Sequence, residues 1–167
     1  LGAVEASNDY AGGLIGYLQS DNEHVIENSY VNSANSFMCS YDKETNSYNK
    51  DATVKAKDYI GSFIGGVSEN NKYTIKNSYS QAVLRVNSSN EENASLIDNI
   101  GYFVGYGTNL LKLDSVVMNK NIQKLLYADV EKSLAKENAG NTESTVSIED
   151  KLTTPGNITF LSAEHMP

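Results

Sequence analysis

Apolar residues in the first two thirds of the chain come in short clusters: Leu14-Ile15, Val25-Ile26, Phe63-Ile64, Ala82-Val83-Leu84, Phe103-Val104 and Val116-Val117-Met118. Between them stand Gly, Asn, Ser and charged residues, the types that favour turns. Clusters this short, rich in β-branched and aromatic residues, predict short strands rather than helices. The pattern changes after residue 120. Between Asn121 and Asn138, apolar residues fall at Ile122, Leu125, Leu126, Val130 and Leu134. That spacing predicts an amphipathic helix, with Gly140 as its stop signal. Residues 141–167 are mostly polar, with a turn predicted at Pro155-Gly156 and either one more strand or the start of a next module at Ile158-Thr159-Phe160-Leu161.

The clusters repeat. Gly12-Gly13-Leu14-Ile15-Gly16, Gly61-Ser62-Phe63-Ile64-Gly65 and Gly101-Tyr102-Phe103-Val104-Gly105 share one pattern: glycine, a variable residue, a large apolar residue, a β-branched residue, glycine. Tyr10, Tyr59 or Asn99-Ile100 stands just upstream. Asn28-Ser29-Tyr30 begins 12 residues after Gly16, and Asn77-Ser78-Tyr79 begins 12 residues after Gly65. Ile26 and Ile75 sit two places before the respective Asn. In the third copy Asp114-Ser115-Val116 follows Gly105 by 9 residues, with Lys112 where Ile is expected. The period is 49 residues from Gly12 to Gly61 and 40 from Gly61 to Gly101. Ser40 to Lys55 and Asn87 to Ala94 are polar and read as loops that absorb the difference.

This pattern resembles the GLUG motif over roughly residues 10–118. Gly13-Leu14-Ile15-Gly16 with Ile26-Glu27-Asn28-Ser29-Tyr30 matches closely. The second copy departs at Ser62 and Phe63, and the third at Tyr102, Phe103 and its tail. The resemblance implies a repeat region of a large secreted bacterial surface protein, adhesin-like, or the non-catalytic part of a secreted peptidase. It brings no catalytic residues with it.

A repeat that cannot bury its apolar side alone is expected to stack on its neighbours, pairing backbone above and below. The expected fold is therefore all-β: a parallel β-helix or β-solenoid of about three irregular repeats over 1–120, with 121–167 as helical cap and linker. The clusters are assigned to three columns. The first is Leu14-Ile15, Phe63-Ile64 and Phe103-Val104; the second is Val25-Ile26, Thr74-Ile75 and Leu110-Leu111. The third is Phe37-Met38-Cys39, Ala82-Val83-Leu84 and Val116-Val117-Met118. Gly12, Gly16, Gly61, Gly65, Gly101 and Gly105 are expected to turn the chain or admit a close backbone. Asn28, Asn77 and Asp114 are expected in left-handed turns, and Tyr30 and Tyr79 are expected to stack. A β-sandwich is the alternative, but it does not require the same pieces to recur at such intervals.

Composition narrows function. The formal charge is −8, which disfavours nucleic acid and anionic lipid surfaces. No apolar run approaches the length of about 18 residues that membrane insertion needs. Cys39 is the only cysteine, read as a small core residue, and His24 and His165 are the only histidines, so a catalytic triad or metal cluster has little material. Asp21-Asn22-Glu23 and Glu91-Glu92-Asn93 lack calcium-loop spacing. Arg85 is the only arginine, which disfavours a cleft for anionic sugars. The chain opens at Leu1 rather than Met, which points to a segment of a longer precursor. The expected function is a structural or adhesive module, secreted or at the cell surface, without cofactor or metal. Host protein or glycan, and flanking modules of the same parent chain, are the expected partners; a polysaccharide-degrading enzyme is the alternative.

Overall fold

The computed structural model describes residues 4–6, 9–20, 22–32, 41–42, 47–48, 54–56, 58–86, 99–140, 147–153 and 157–167. The chain is mostly β, in parallel sheets, with one long helix. Four sheets recur in the same order along the chain. Sheet one holds Tyr10–Gly12, Tyr59–Gly61, Asn99–Gly101 and Leu152–Thr153; sheet two holds Ile15–Leu18, Ile64–Val67 and Val104–Tyr106. Sheet three holds His24–Glu27 and Tyr30–Asn32 on one side of Tyr73–Gln81, then Leu111–Asn119 and Ile158–Leu161. Sheet four holds Val4–Glu5, Val54–Ala56 and Leu84–Val86. Apart from these, Tyr41–Asp42 pairs antiparallel with Ser47–Tyr48.

Each parallel pairing joins equivalent residues of successive repeats. Tyr10, Tyr59 and Asn99 are in register in sheet one, and Ile15, Ile64 and Val104 in sheet two. At the motif corner the backbone pattern recurs: Phe63 O accepts from Leu14 N and Ile15 N, and Phe103 O accepts from Phe63 N and Ile64 N, each at 3.0 Å. Phe63, Ile64, Ile75, Phe103, Val104 and Val116 are fully buried in one cluster, with the Phe63 and Phe103 rings 5.1 Å apart. Burying such side chains, at about 1.5–3 kcal/mol each, is what a single repeat cannot achieve alone.

Gly12, Gly61, Gly65 and Gly105 serve close approach. A methyl at Gly65 would lie 2.6 Å from Ala11 N and Gly16 O, and one at Gly105 would lie 2.6 Å from Gly65 O. Glycine is needed there because the neighbouring repeat's backbone occupies the Cβ position. The other expected role, turning the chain through positive φ, falls elsewhere: Gly107, with φ 79°, is the only positive-φ glycine among the described residues. It tightens the corner between sheets two and three in the third repeat, where Tyr73 Oη donates to its carbonyl at 2.8 Å.

Three column assignments are corrected. Ile75 lies opposite Leu113, so Leu110-Leu111 is not the third member of the second column. Val116–Met118 pair with Ser78–Ser80 in sheet three, whereas Leu84–Val86 join Val54–Ala56 in sheet four. Strand Leu111–Asn119, which contains members of two predicted columns, Leu111 and Val116–Met118, runs unbroken beside Tyr73–Gln81. Val54 and Lys55 are therefore strand, not the end of a loop. Phe37-Met38-Cys39, Asp21, Asn87 to Ala94 with Glu91-Glu92-Asn93, and Pro155-Gly156 lie outside the described residues.

Helix α1 spans Lys120–Gly140, ending on the glycine expected to stop it. Ile122, Leu126, Val130 and Leu134 are buried in the same cluster as the strands. The helix packs on Leu84–Val86 and on Leu111–Asn119. Beyond it, Leu152–Thr153 returns to sheet one beside Ile100-Gly101, and Ile158–Leu161 to sheet three beside Val116–Asn119.

Candidate functional site

The Asn-Ser-Tyr segments meet on sheet three. Asn28, Asn77 and Ser115 have φ of 51°, 47° and 53°, and Asn157 has φ of 80°. The register of Lys76 with Asp114 and of Ser78 with Val116 sets Asn77 opposite Ser115; that of Val116 with Ile158 sets Ser115 opposite Asn157. The left-handed residue of the third repeat is thus Ser115, not Asp114. The tail of that repeat begins 10 residues after Gly105 rather than 9, because its corner at Gly107 is shorter, and Leu113 takes the place of Ile26 and Ile75.

Asn suits this conformation, which disfavours most side chains. The following serines hold the kink. Ser29 Oγ donates to Glu27 O at 2.9 Å, Ser78 Oγ donates to Lys76 O at 2.7 Å, and Ser29 N donates to Ser78 Oγ at 3.2 Å across the repeats. Tyr30 and Tyr79 lie in register, rings 5.2 Å apart and 7° from parallel. Val117 continues their row. Asn28, Tyr30, Asn77, Tyr79, Ser115 and Val117, with Pro167, line an open groove of about 260 Å³. The expected glycines form rows of their own: Gly12, Gly61 and Gly101 are in register in sheet one, and Gly16, Gly65 and Gly105 in sheet two.

Beside the groove runs a row of alternating charge: Glu27, Lys76 and Asp114 in register, with Lys76 Nζ 2.7 Å from Glu27 Oε2. The hydrogen bond to Glu27, then the charges of Glu27 and Asp114, raise the Lys76 pKa. This is the place Asp114 occupies.

A second aromatic surface was signalled in the sequence only by Tyr10 and Tyr59. Tyr10 stacks on Tyr59 at 4.8 Å and 14°, Tyr17 tilts onto Tyr10 at 4.6 Å, and Tyr106 meets Tyr59 at 4.9 Å. The Tyr10 ring covers Gly66, which stands in register with Tyr17 and Tyr106. Burial, then the neighbouring Tyr17 and Tyr106, raise the Tyr10 pKa, with Asp9 and Asp58 adding to it. Tyr106 Oη donates to Glu69 Oε1 at 3.1 Å. The missed members Tyr17 and Tyr106 share one signal: each directly follows the second motif glycine.

Such surfaces offer amides, hydroxyls and aromatic edges for contact. Among the described residues no three His, Cys, Asp or Glu side chains gather to hold a metal. Ser162 Oγ lies 2.7 Å from His165 Nδ1, with Glu164 beside them, at the 3₁₀ turn Ala163–His165. Among the described residues no helix is long and apolar enough to cross a membrane. No family model, curated protein or solved structure matches the chain.

Proposed function

We propose that this chain is a non-catalytic repeat module, structural and adhesive, of an extracellular bacterial surface protein. Its fold is read as a β-solenoid of three irregular repeats and a contracted fourth, with α1 as a cap over the strand Leu84–Val86. The observation that carries this reading is the alignment of Asn-Ser-Tyr rows along one face, repeat over repeat. A surface that presents the same polar and aromatic groups in two successive repeats, with Ser115 and Val117 continuing the rows, suits a ligand that is itself repetitive or extended. Exposed rings flanked by amides are chemistry for glycan or protein contact. The GLUG resemblance supports the same reading.

The test is binding of the full chain to arrays of glycans and extracellular host proteins. A bound class whose affinity falls at least about tenfold in the Tyr30→Ser, Tyr79→Ser double variant, about 1.4 kcal/mol, fits the proposal. No binding on broad arrays sinks the adhesive half.

A further inference from the structure

The first repeat lies at the edge of every sheet it joins: among the described residues Val4–Glu5, Tyr10–Gly12, Ile15–Leu18, His24–Glu27 and Tyr30–Asn32 pair on one side only. Some of its core-facing apolar residues are less covered than their equivalents. Leu14 is 48% exposed, whereas Phe63, its equivalent one repeat on, is 0% exposed. Ile15 and Ile26 are half-buried, whereas Ile64 and Ile75 are fully buried. The other end is covered on three of the four sheets: α1 lies on Leu84–Val86, and Leu152–Thr153 and Ile158–Leu161 pair outside the third repeat, which leaves Val104–Tyr106 as an edge.

Gly16 says what belongs on the bare edge. Its partners Gly65 and Gly105 are glycine because the backbone of the preceding repeat stands within 2.6 Å of where a Cβ would go. At Gly16 the nearest atom to such a Cβ is Tyr10 O, at 3.7 Å, an ordinary contact, and its φ is not positive. Nothing among the described residues requires glycine at 16. The residue obeys a constraint that only a preceding backbone would impose.

We infer that the open edge is the docking face for a further repeat of the same glycine-x-apolar-branched-glycine type, stacked in parallel and in register with Gly16. This rests on the solenoid reading above. A second copy of this chain does not fit, because of the edge it would have to offer for parallel stacking only Val104–Tyr106 is open, the rest being covered by α1, Leu152–Thr153 and Ile158–Leu161.

The experiment compares two chains: the protein as it is, and the protein with residues 10–58 duplicated ahead of Tyr10, a junction that keeps the Asp-Tyr step of Asp9-Tyr10 and Asp58-Tyr59. In the original chain Gly16→Ala is expected to shift the unfolding midpoint by less than about 2 °C. In the extended chain, Gly16→Ala is expected to lower it by roughly 10 °C, as Gly65→Ala does in both. Gly16→Ala without effect in the extended chain, while Gly65→Ala still destabilises, overturns the inference. So does an extended chain that melts below the original or fails to fold. If Gly65→Ala is also without effect, the solenoid reading itself fails. A dimer by light scattering that Leu14→Lys dissolves would make a second copy the occupant and overturn the inference too.

Discussion

Position 115 carries a serine at φ 53°, a conformation that its counterparts at 28 and 77 fill with asparagine. Left-handed backbone costs an ordinary residue about 1–2 kcal/mol, and asparagine less. Ser115→Asn is therefore expected to stabilise the protein by about 0.5–1 kcal/mol in urea unfolding, while Asp114→Asn gives no such gain. The reverse order would return the left-handed role to Asp114. Residue type identified Asn28 and Asn77 from sequence alone. It misled at 114, since Asp is the better left-handed former of the Asp114-Ser115 pair, and only the shortened Gly107 corner reveals the shift. Buried tyrosines make a second prediction at this scale. Burial, first among its causes, pushes the Tyr102 hydroxyl up to about 12, and it also raises Tyr73. Folded pKa values above the unfolded value of about 10 mean that this stability is fully present below pH 10. It is lost as pH rises toward 12, because the unfolded chain ionises first. The melting temperature should fall across that window, and Tyr102→Phe should flatten the fall.

At the scale of elements, periodicity located α1 closely because helix burial has a 3.6-residue rhythm, and Ile122, Leu126, Val130 and Leu134 sit one turn apart on the buried side. Leu126→Ala is expected to cost about 2–5 kcal/mol by denaturant unfolding, the range for a cavity left in a packed core. A loss below about 1 kcal/mol would mean that the helix is not integral to the core. Strand pairing was less legible. The local pattern marks Ala82–Leu84 and Val116–Met118 equally as strand, but their sheets depend on corner lengths, and these differ between repeats. Cross-strand charge now has a place that the sequence did not signal. Lys76 separates Glu27 from Asp114, so Lys76→Glu sets three like charges in one row. Its melting temperature should drop at low salt and recover in part at high salt, as screening predicts. A drop of equal size at both ionic strengths would assign the effect to packing instead.

For the whole molecule, the two ends are unlike, and the difference sets how the chain behaves when cut. The sequence placed the helix, yet it could not show that Leu152–Thr153 and Ile158–Leu161 return to the sheets. Leu152–Thr153 and Ile158–Leu161 are too short to carry a repeat motif, and the second and fourth sheets gain no strand from them. What ties them back is register: Ile100 with Leu152, Met118 with Phe160, and the Phe160 ring edge-on to Tyr102 at 5.3 Å. Truncation after Gly140 would uncover the strand Leu111–Asn119 and one side of Tyr102, giving the molecule an open edge at both ends. Unpaired strand edges recruit one another. The truncated chain is therefore expected to melt lower than the full chain and to associate with rising concentration, seen as a growing mass in light scattering. Phe160→Ala in the full chain should reproduce part of the melting loss, about 3–5 kcal/mol at most, without the association, because the backbone ladder stays paired. A truncated chain that remains monomeric and equally stable would show that the strand Leu111–Asn119 needs no cover and that Leu152–Thr153 and Ile158–Leu161 add nothing to it.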